Sequence, residues 1–284
     1  MSDFQNKALI VGINSFLGVA IAEKLRQTHI VEGIHHENTD KIPVGIVSKS
    51  VDQLSTIGDH YQLVCFISAY IPVKGAIDHE QLFKTNVALL GRVSKQFPSA
   101  RILHASSVSV YGAPHEVINE ATHGKDLTAY GLSKRWAEML LCEHPSYASI
   151  RISSMFGRGM KRSTFLPMIV KDAVVNQQIL LQGDGSRRQN YIHVADVADC
   201  FVAAASVDYN GIFLAVSNQS YSNLEIARMI QQQLPETKIV FSGEDPSISS
   251  YFDGSHTRSV LKWQSEGQIQ VGIQELIQWL TEQY

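Results

Sequence analysis

The first 25 residues hold the pattern that most constrains the fold of this chain: an apolar run, a glycine-containing turn and an apolar helix. A short apolar run ending in glycine is typical of a buried parallel strand, here Ala8-Leu9-Ile10-Val11-Gly12. Residues 13–18 form the expected turn, and residues 19–25 carry apolar side chains at helical spacing. In such a unit, backbone N–H groups at the helix start bind a pyrophosphate, and glycines let the backbone approach it. The alternative is an ordinary strand–helix turn in which Gly18 only packs the helix.

Strand and helix patterns alternate from Lys7 to Arg151, which predicts an α/β fold with a Rossmann-type doubly wound parallel sheet. We expect strands near Leu9, Val31, Val44, Val64, Leu103 and Ile150, and helices over residues 16–27, 79–96 and 128–142. Later helices are expected over 166–176, 193–205, 222–234 and 271–280, and later strands over 179–182 and 211–215. Residues 1–157 are expected to form a dinucleotide-binding domain to which 186–218 return. Residues 158–185 and 219–284 are expected to form a small C-terminal substrate-binding lobe.

Tyr130 and Lys134 lie four residues apart in a predicted helix, so both side chains lie on one helix face. A free tyrosine has a pKa near ~10, which is too high for a base at neutral pH. A neighbouring cation lowers that pKa by stabilising the phenolate. The pair therefore suits acid–base chemistry on a hydroxyl or carbonyl group.

Ser107 lies at the end of an apolar strand pattern, residues 101–107, in a serine-rich turn. A hydroxyl at the carboxyl end of a parallel strand faces the crevice where α/β sheets bind ligands. Ser107 is therefore a candidate to polarise a substrate oxygen while Tyr130 exchanges its proton. Turn capping, which serines also do well, is the alternative.

Composition excludes several classes of partner. The 284 residues carry a net charge of −3 with mixed signs, so we expect neither nucleic-acid nor membrane binding. We expect no secretory signal, no membrane span and no metal site. The three scattered cysteines, Cys65, Cys142 and Cys200, are expected to be reduced core thiols of a cytoplasmic protein.

With these motifs the chain resembles the extended short-chain dehydrogenase/reductase family, which contains nucleotide-sugar epimerases, dehydratases and ketoreductases. The resemblance covers nearly the whole chain. The matching segments are residues 11–18 (T-G-x-x-G-F-[IL]-G), 66–69 (H-L-A-A), 86–87 (N-V), 106–112 (S-S-x-x-V-Y-G), 129–134 (P-Y-x-x-S-K), 151–159 (R-x-x-N-V-Y-G-P-G) and 183–197 (G-D-G-x-x-x-R-D-F-I-H-V-x-D-V).

The resemblance implies roles by position. Tyr130 is the expected acid/base, Lys134 lowers its pKa and holds the nicotinamide ribose, and Ser107 orients the substrate oxygen. Asn86 is expected to support the backbone. Cofactor contacts are expected from Gly12, Ser15, Phe16, Leu17, Gly18, His35, Ser68, Ala69 and Lys134. Relatives often pair as homodimers through two helices, which here are those holding Asn86 and Tyr130.

Departures from the family pattern refine these expectations. Ser15 replaces a glycine, which puts a side chain, and a hydroxyl that could contact phosphate, close to the pyrophosphate. His35-His36 stands where proteins specific for NAD carry an acidic residue for the ribose 2′-hydroxyl. Loss of that carboxylate removes repulsion against a 2′-phosphate, so NADP is slightly favoured over NAD. A solvated histidine pair is the alternative interpretation.

The substrate side also departs from the family. Ser154 replaces the asparagine of N-V-Y-G, and Gln189 replaces an arginine that reaches the nucleotide phosphates in relatives. The adjacent Arg187 and Arg188 are therefore the expected contacts to the substrate diphosphate, and Arg158 is expected to bind substrate from a second loop that could cover it. Solvation is the alternative for each of these cations. His193 is expected to be structural.

Val108 and Ser109 stand where sugar 4,6-dehydratases carry an Asp-Glu pair, so that reaction is not expected. The sequence therefore indicates an NAD(P)-dependent enzyme that transfers hydride at a ring carbon, usually C4, of a nucleotide-activated sugar. A 4-ketoreductase is slightly favoured over an NAD-retaining 4-epimerase. A non-catalytic dinucleotide sensor is the remaining alternative, although it has no need for Ser107, Tyr130 and Lys134.

Overall fold

The computed structural model describes residues 6–73, 76–113, 117–267 and 269–284. The strands are β1 (Lys7–Val11), β2 (Ile30–His35), β3 (Val47–Ser50), β4 (Leu63–Phe66), β5 (Arg101–Ser107), β6 (Val117–Ile118), β7 (Tyr147–Ile152), β8 (Ser154–Phe156), β9 (Gln178–Gln182), β10 (Arg188–His193), β11 (Gly211–Ala215), β12 (Ser220–Ser222), β13 (Lys238–Ser242) and β14 (Tyr251–Phe252). The helices are α1 (Phe16–Leu25), α2 (His79–Phe83), α3 (Leu89–Gln96), α4 (Ala129–Leu141), α5 (Phe165–Asn176), α6 (Val194–Ala205), α7 (Asn223–Gln233), α8 (Ser255–Leu261) and α9 (Ile269–Thr281). A π-helical turn (Lys84–Ala88) joins α2 to α3, and 3-10 turns cover Val51–Thr56 and Val108–Tyr111.

The main sheet has seven parallel strands in the order β11-β7-β5-β4-β1-β2-β3. The chain runs from the central β1 outwards to β3 and then crosses back to β4, β5, β7 and β11. Helices therefore cover both faces, and the predicted doubly wound parallel sheet is confirmed. In such a sheet the ligand crevice lies outside the carboxyl ends of the strands where the order reverses, here between β1 and β4.

Alternate residues of the strands pack into different apolar layers, because successive strand side chains point to opposite faces. Ala8 and Ile10 of β1 pack with α1 and α6, whereas Leu9 and Val11 pack with α3 and α4. A strand buried on both faces must be apolar at every position. This requirement is the physical origin of the continuous apolar run at residues 8–11.

A further apolar cluster lies beyond the main sheet and joins β9, α5, α7 and α9. Its fully buried members include Val170, Ile226 and Leu276. Two small sheets, β12-β10-β8 and β13-β9, flank it. This separate cluster is the basis on which we propose a C-terminal lobe beside the dinucleotide-binding unit.

Several local expectations differ from the structure. Val44 lies in an exposed loop and β3 begins at Val47, because Gly45 turns the chain with a positive φ of 85°. The helix expected over residues 79–96 contains a π-helical turn. The strands β6, β8, β12 and β14 have only two or three residues each, too few to show a periodic pattern.

The three cysteines are free thiols. Cys65 and Cys200 are buried, but Cys142 is exposed, so the expectation of three core thiols was wrong for Cys142. Cys142 is the C-cap of α4 and therefore points away from the apolar stripe of that helix. Within the described ranges no helix is long and apolar enough to cross a membrane, and no group of metal-ligating side chains is found.

Candidate active site

A cavity of about 200 Å³ opens at the carboxyl ends of β1, β2 and β4. Its lining consists of Val11, Gly12, Asn14, Ser15, Ile34, His35, His36, Val51, Ser68 and Ala69. Of the nine residues expected to contact a cofactor, five lie in this wall: Gly12, Ser15, His35, Ser68 and Ala69. The expected cofactor segments β1–α1, β2 and β4 therefore meet in one cavity.

Gly12 lets the turn after β1 pass close to β4. Its φ is +96°, and a Cβ built there would lie 2.7 Å from the Ser68 backbone nitrogen. L-residues rarely adopt this φ, and no side chain fits in this space. The glycine is therefore required both by backbone conformation and by the close approach of the two segments.

Ser15 caps α1, because its Oγ accepts a hydrogen bond from the Gly18 backbone N–H at 3.0 Å. The hydroxyl expected to contact phosphate is thus engaged by the helix. The backbone N–H groups of Phe16 and Leu17 belong to the first turn, where no intrahelical acceptor exists. The Leu17 side chain is buried in the core, so only its backbone is available to a ligand. The glycine and amide pattern fits the pyrophosphate of a dinucleotide.

His35 ends β2 at the cavity wall, and its Nδ1 lies 2.7 Å from the Ser48 Oγ of β3. The next residue, His36, is exposed and lies 3.6 Å from the Glu37 carboxylate. The cavity lining contains no carboxylate. This wall therefore differs from one that selects a free ribose 2′-hydroxyl through an acidic side chain.

Tyr130 and Lys134 lie on α4, whose N-cap Thr128 accepts a hydrogen bond from the Gly131 N–H. The Lys134 Nζ lies 5.9 Å from the centroid of the Tyr130 ring. It donates to the Ala105 backbone oxygen of β5 at 2.7 Å. This bond fixes the ammonium group between α4 and the carboxyl end of the sheet.

Burial determines the protonation of both groups. Burial raises the pKa of Tyr130 to about 12, and a hydrogen bond with Ser107 acts in the opposite direction. Burial lowers the pKa of Lys134 to about 8, against the raising effect of the Glu138 charge. The expected lowering of the phenol pKa by Lys134 is not found, because burial disfavours the phenolate more than its neighbours stabilise it.

Ser107 ends β5 and caps the 3-10 turn Val108–Tyr111. Its Oγ accepts from the Ser109 backbone N–H at 3.1 Å and donates to the Ser109 Oγ, also at 3.1 Å. The serine therefore performs the capping role, and it also lies close enough to Tyr130 to counter part of the rise that burial causes in the pKa of that phenol. The two interpretations considered for Ser107 do not exclude each other.

Asn86 lies in the π-helical turn between α2 and α3 and is fully buried. Its amide bonds both the N–H and the carbonyl of Tyr70, at 2.7 and 3.0 Å. It also donates to Ser133 Oγ, which in turn donates to the Tyr130 carbonyl. Asn86 therefore supports the backbone around the site, as expected. Single π turns of this kind are frequent at functional sites.

The expected substrate arginines divide into two groups. Arg188 forms an ion pair with Glu225 at 3.1 Å and donates to the Ser220 carbonyl, and the exposed Arg158 pairs with Glu282 at 2.9 Å. Arg187 is different, since its Nε is buried with no hydrogen-bond partner in the part of the chain that the structure describes. Its charge lies close enough to Tyr191 to oppose the burial that raises the pKa of that phenol. Of the three expected substrate arginines, Arg187 is thus the one with a buried, unpartnered guanidinium nitrogen among the described residues.

Ser154 lies at the start of β8, beside Tyr191 of β10, and is partly buried. His193 has the structural role expected of it. Its Nδ1 caps α6, and its Nε2 lies 3.2 Å from the Glu275 carboxylate of α9.

Sequence reasoning missed the polar residues packed behind Ser107, Tyr130 and Lys134. Glu138, Arg151 and Ser106 are almost fully buried and bonded to one another, and Tyr111 joins them. Glu138 stands one helical turn after Lys134, and this i, i+4 spacing was the available signal.

Relatives with known names match over almost the whole chain. A UDP-N-acetyl-alpha-D-glucosaminuronate decarboxylase of Bacillus cytotoxicus is 21% identical, with 98% of this chain and 98% of the relative covered. A putative UDP-glucose 4-epimerase of Methanocaldococcus jannaschii is 22% identical over 96% of this chain and 97% of its own. Among solved structures, MoeE5 in complex with UDP-glucuronic acid and NAD has a similar fold, with a TM-score of 0.86 at 19% identity over 98% of this chain and 100% of MoeE5. The model of the NAD dependent epimerase/dehydratase family matches residues 8–213, so the chain belongs to this family of extended short-chain dehydrogenase/reductase enzymes.

Proposed function

We propose that this protein transfers hydride at a ring carbon, C4, of a nucleotide-activated sugar. The observation that carries the proposal is the grouping of Ser107, Tyr130 and Lys134 at the carboxyl edge of the sheet. Lys134 lies beside the Tyr130 ring on α4 and bonds to β5, and Ser107 at the end of β5 lies close enough to Tyr130 to affect its pKa. A dinucleotide sensor has no use for a buried phenol and a buried ammonium group, whose desolvation destabilises the fold.

NAD is the cofactor that we propose for the cavity. Gly12, Ser68 and Ala69 give it a backbone wall without obstructing side chains, and the α1 amides face the place of a pyrophosphate. Lys134 is the group that would hold the nicotinamide ribose. When bound, the nicotinamide supplies the acceptor and donor of hydride, and its positive charge in the oxidised form opposes the burial that raises the Tyr130 pKa.

In the proposed reaction Tyr130 holds the proton that the sugar oxygen at C4 gains or loses. Ser107 hydrogen-bonds the same oxygen and so aligns it with the phenol. Lys134 keeps a positive charge within reach of the phenol as its negative charge develops. Removal of the proton and the hydride converts the C4 alcohol into a ketone, and their addition converts the ketone into an alcohol.

Epimerisation at C4 is the reaction that we propose first. With NAD retained as hydride acceptor and donor, the sugar would be oxidised at C4 and then reduced again on the opposite face, which inverts that carbon without net oxidation. The names of the relatives support this reaction, since one is a putative UDP-glucose 4-epimerase and MoeE5 was solved with NAD. UDP-glucuronic acid and UDP-glucose are accordingly the first substrates to test.

Reduction of a 4-keto sugar by NADPH is the second candidate. Two observations favour it: the raised pKa of Tyr130 keeps the phenol protonated as a donor, and no carboxylate lines the cavity beside His35. The absent carboxylate permits a 2′-phosphate, whereas an NAD-selective wall repels it.

Arg187 is proposed to bind the substrate diphosphate. A guanidinium group pairs well with phosphate oxygens, and the Nε of Arg187 has no partner in the described part of the chain. Arg188 and Arg158 are proposed as supports of this region through Glu225 and Glu282, rather than as phosphate contacts.

One experiment separates the two reactions. The purified protein is incubated with UDP-glucuronic acid or UDP-glucose, without added cofactor, and the sugar protons are followed by NMR. Mass spectrometry identifies any nucleotide released on denaturation. Retained NAD with formation of the C4 epimer supports the epimerase, whereas an empty protein that oxidises NADPH with a 4-keto sugar supports the reductase. A protein that does neither with a panel of nucleotide sugars would contradict the proposal.

We also propose that the protein forms a homodimer through α2 and α4. Leu132, Trp136 and Met139 lie at i, i+4 and i+7 on α4 and are 56%, 52% and 61% exposed. Phe83 of α2 packs beside Trp136 with ring centroids 5.1 Å apart. An apolar stripe of this size on a helix pair is typical of a protein interface. The partner that fits is a second copy, because two such helix pairs form a four-helix bundle.

A further inference from the structure

A buried polar cluster lies directly behind the catalytic set, and we define it by Ser106, Tyr111, Glu138 and Arg151. Glu138 accepts two hydrogen bonds from Arg151, from Nε at 2.8 Å and from Nη2 at 2.7 Å. It also accepts a bond from the Ser106 Oγ at 2.6 Å. The four side chains are 1% to 4% exposed. The cluster thus joins β5, α4 and β7 in the protein interior.

The other arm of Arg151 reaches the turn that follows Ser107. Its Nη1 donates to the Tyr111 Oη at 2.8 Å, and the guanidinium carbon lies 4.8 Å from the centroid of that ring. Ser106 precedes Ser107, and Tyr111 ends the 3-10 turn that Ser107 caps. Arg151 and Glu138 therefore hold the chain on both sides of Ser107.

The cluster also reaches Lys134. Glu138 lies one turn further along α4, on the same face of the helix. Its negative charge is the group that raises the pKa of Lys134 against the lowering effect of burial. The same carboxylate therefore contacts the β5 end that carries Ser107 and acts on the helix that carries Tyr130 and Lys134.

We propose that Glu138, clamped by Arg151, is a positioning residue that fixes Ser107 relative to Tyr130 and Lys134. Glu138 joins the two elements that bear the reacting groups, and Arg151 fixes the carboxylate through two parallel bonds. This inference rests on the proposed function, since it assumes that the three residues act on one substrate oxygen.

Stability alone is a weak reason for such a cluster. Desolvation of a buried ion pair offsets most of its attraction, and apolar replacements of similar volume are often neutral or stabilising. Geometry is a better reason, because a displacement of about 1 Å at a catalytic group can lower turnover by roughly 100-fold.

Other charged or titratable groups around Lys134 do not replace Glu138. His104 of β5 is fully buried, and burial together with the Lys134 charge holds its pKa well below the usual range, so it is neutral. Tyr130 is protonated. Arg135 contacts Glu138 at 3.2 Å from the half-exposed side of α4. Among the described groups, Glu138 is thus the anion that acts on Lys134.

The main test is the pH profile of kcat for Glu138→Gln, measured with the nucleotide sugar that the substrate screen described above shows to be turned over. We expect kcat to fall roughly 10- to 100-fold. We also expect the alkaline limb, which reports Lys134 deprotonation, to move to lower pH, because the ammonium group loses its anionic neighbour. A purely structural role would lower kcat and stability without moving this limb. An unchanged limb with wild-type kcat overturns the proposal.

Glu32→Gln is the matched control. Glu32 of β2 also accepts from two side chains, Lys7 at 3.0 Å and Tyr61 at 2.7 Å, but it belongs to β2, away from Tyr130 and Lys134. We expect this variant to lose some stability and to keep the wild-type pH profile. An equal shift of the alkaline limb in both variants would reject a specific role for Glu138.

A second measurement does not depend on turnover. The folded pKa of Lys134 is about 8, below the value of 10.5 for a free lysine. The destabilisation caused by the buried ammonium is therefore present below pH 8 and is relieved as the pH rises from about 8 to 10.5. In Glu138→Gln the rise in unfolding free energy should begin at lower pH, and in Lys134→Met it should disappear. Equal onsets in Glu138→Gln and the wild type overturn the electrostatic part of the proposal.

The outcomes remain separable. A wild-type protein inactive on every nucleotide sugar rejects the proposed function, while the unfolding measurement still judges the link between Glu138 and Lys134. If Glu138→Gln does not fold, Ser106→Ala keeps the ion pair and cuts only the bond to β5. We expect reduced kcat with little change in melting temperature. Unchanged kcat in that variant overturns the positioning role.

Discussion

At the residue scale, burial acts on Tyr130 and Lys134 in opposite directions. Desolvation disfavours each charged form, so it raises the pKa of the phenol to about 12 and lowers that of the ammonium to about 8. The site therefore holds a protonated phenol beside an ammonium that is mostly charged at neutral pH. A reaction that needs phenolate must compensate for this burial through positive charge.

Replacement of Tyr130 by Phe removes the proton donor and acceptor while keeping the ring. We expect kcat to fall at least about 100-fold, with the dissociation constant of the dinucleotide nearly unchanged. Steady-state kinetics and fluorescence titration of NADH measure the two quantities. Tyr209→Phe is the control, since Tyr209 is exposed and follows α6. Full activity of Tyr130→Phe would sink the catalytic assignment.

The two adjacent arginines should give opposite results. Arg187→Ala should raise KM for the nucleotide sugar about 10-fold, because it removes a charge-assisted contact to phosphate. Its melting temperature should stay close to that of the wild type. Arg188→Ala should mainly lower the melting temperature, because it breaks the contacts with Glu225 and Ser220. The same KM in wild type and Arg187→Ala would place the diphosphate elsewhere.

At the scale of single elements, the turn between β1 and α1 depends on close backbone approach. Gly12→Ala adds a Cβ that meets the Ser68 nitrogen at 2.7 Å and also strains a φ of +96°. We expect loss of dinucleotide binding and a lower melting temperature, both measured on the purified variant.

Gly45→Ala separates the steric contact of the added Cβ from the backbone strain at a positive φ. Gly45 has a similar φ of +85°, but an added Cβ meets nothing within 4 Å. In this control we expect the free energy of unfolding to fall only by the backbone strain, roughly 1–2 kcal/mol, and NAD binding to stay normal. Equal binding by Gly12→Ala and the wild type would show that the β1–α1 turn tolerates a side chain.

Elements with long patterns were predictable, and short ones were not. The apolar run of β1 and the spacing in α4 are strong local signals, so β1, Tyr130 and Lys134 were found from the sequence. The supporting role of Asn86 in its π-helical turn rests on bonds to Tyr70 and Ser133, which are distant in sequence. No local pattern carries that information.

At the scale of the whole molecule, the proposed dimer depends on the exposed face of α4. Trp136→Glu places a charge in the centre of the apolar stripe, so we expect a monomer in light scattering at concentrations where the wild type is dimeric. Val175→Glu on α5 is the control, because Val175 is exposed to a similar extent, 47%, on a different helix. A wild-type monomer would reject the proposed interface.

The parallel sheet, the glycine turn after β1 and the spacing of Tyr130 and Lys134 follow from local patterns of apolar residues, glycines and helix periodicity, so the sequence was sufficient to predict them. The hydrogen-bond partners of the polar side chains, in contrast, depend on the folded structure. Arg187 and Arg188 are adjacent and chemically identical, yet the guanidinium group of Arg188 pairs with Glu225, whereas the Nε of Arg187 is buried with no hydrogen-bond partner in the described chain. Tyr130 carries a pKa raised by burial instead of one lowered by Lys134. Desolvation and partner choice are set by residues distant along the chain, and for that reason they become visible only in the folded protein.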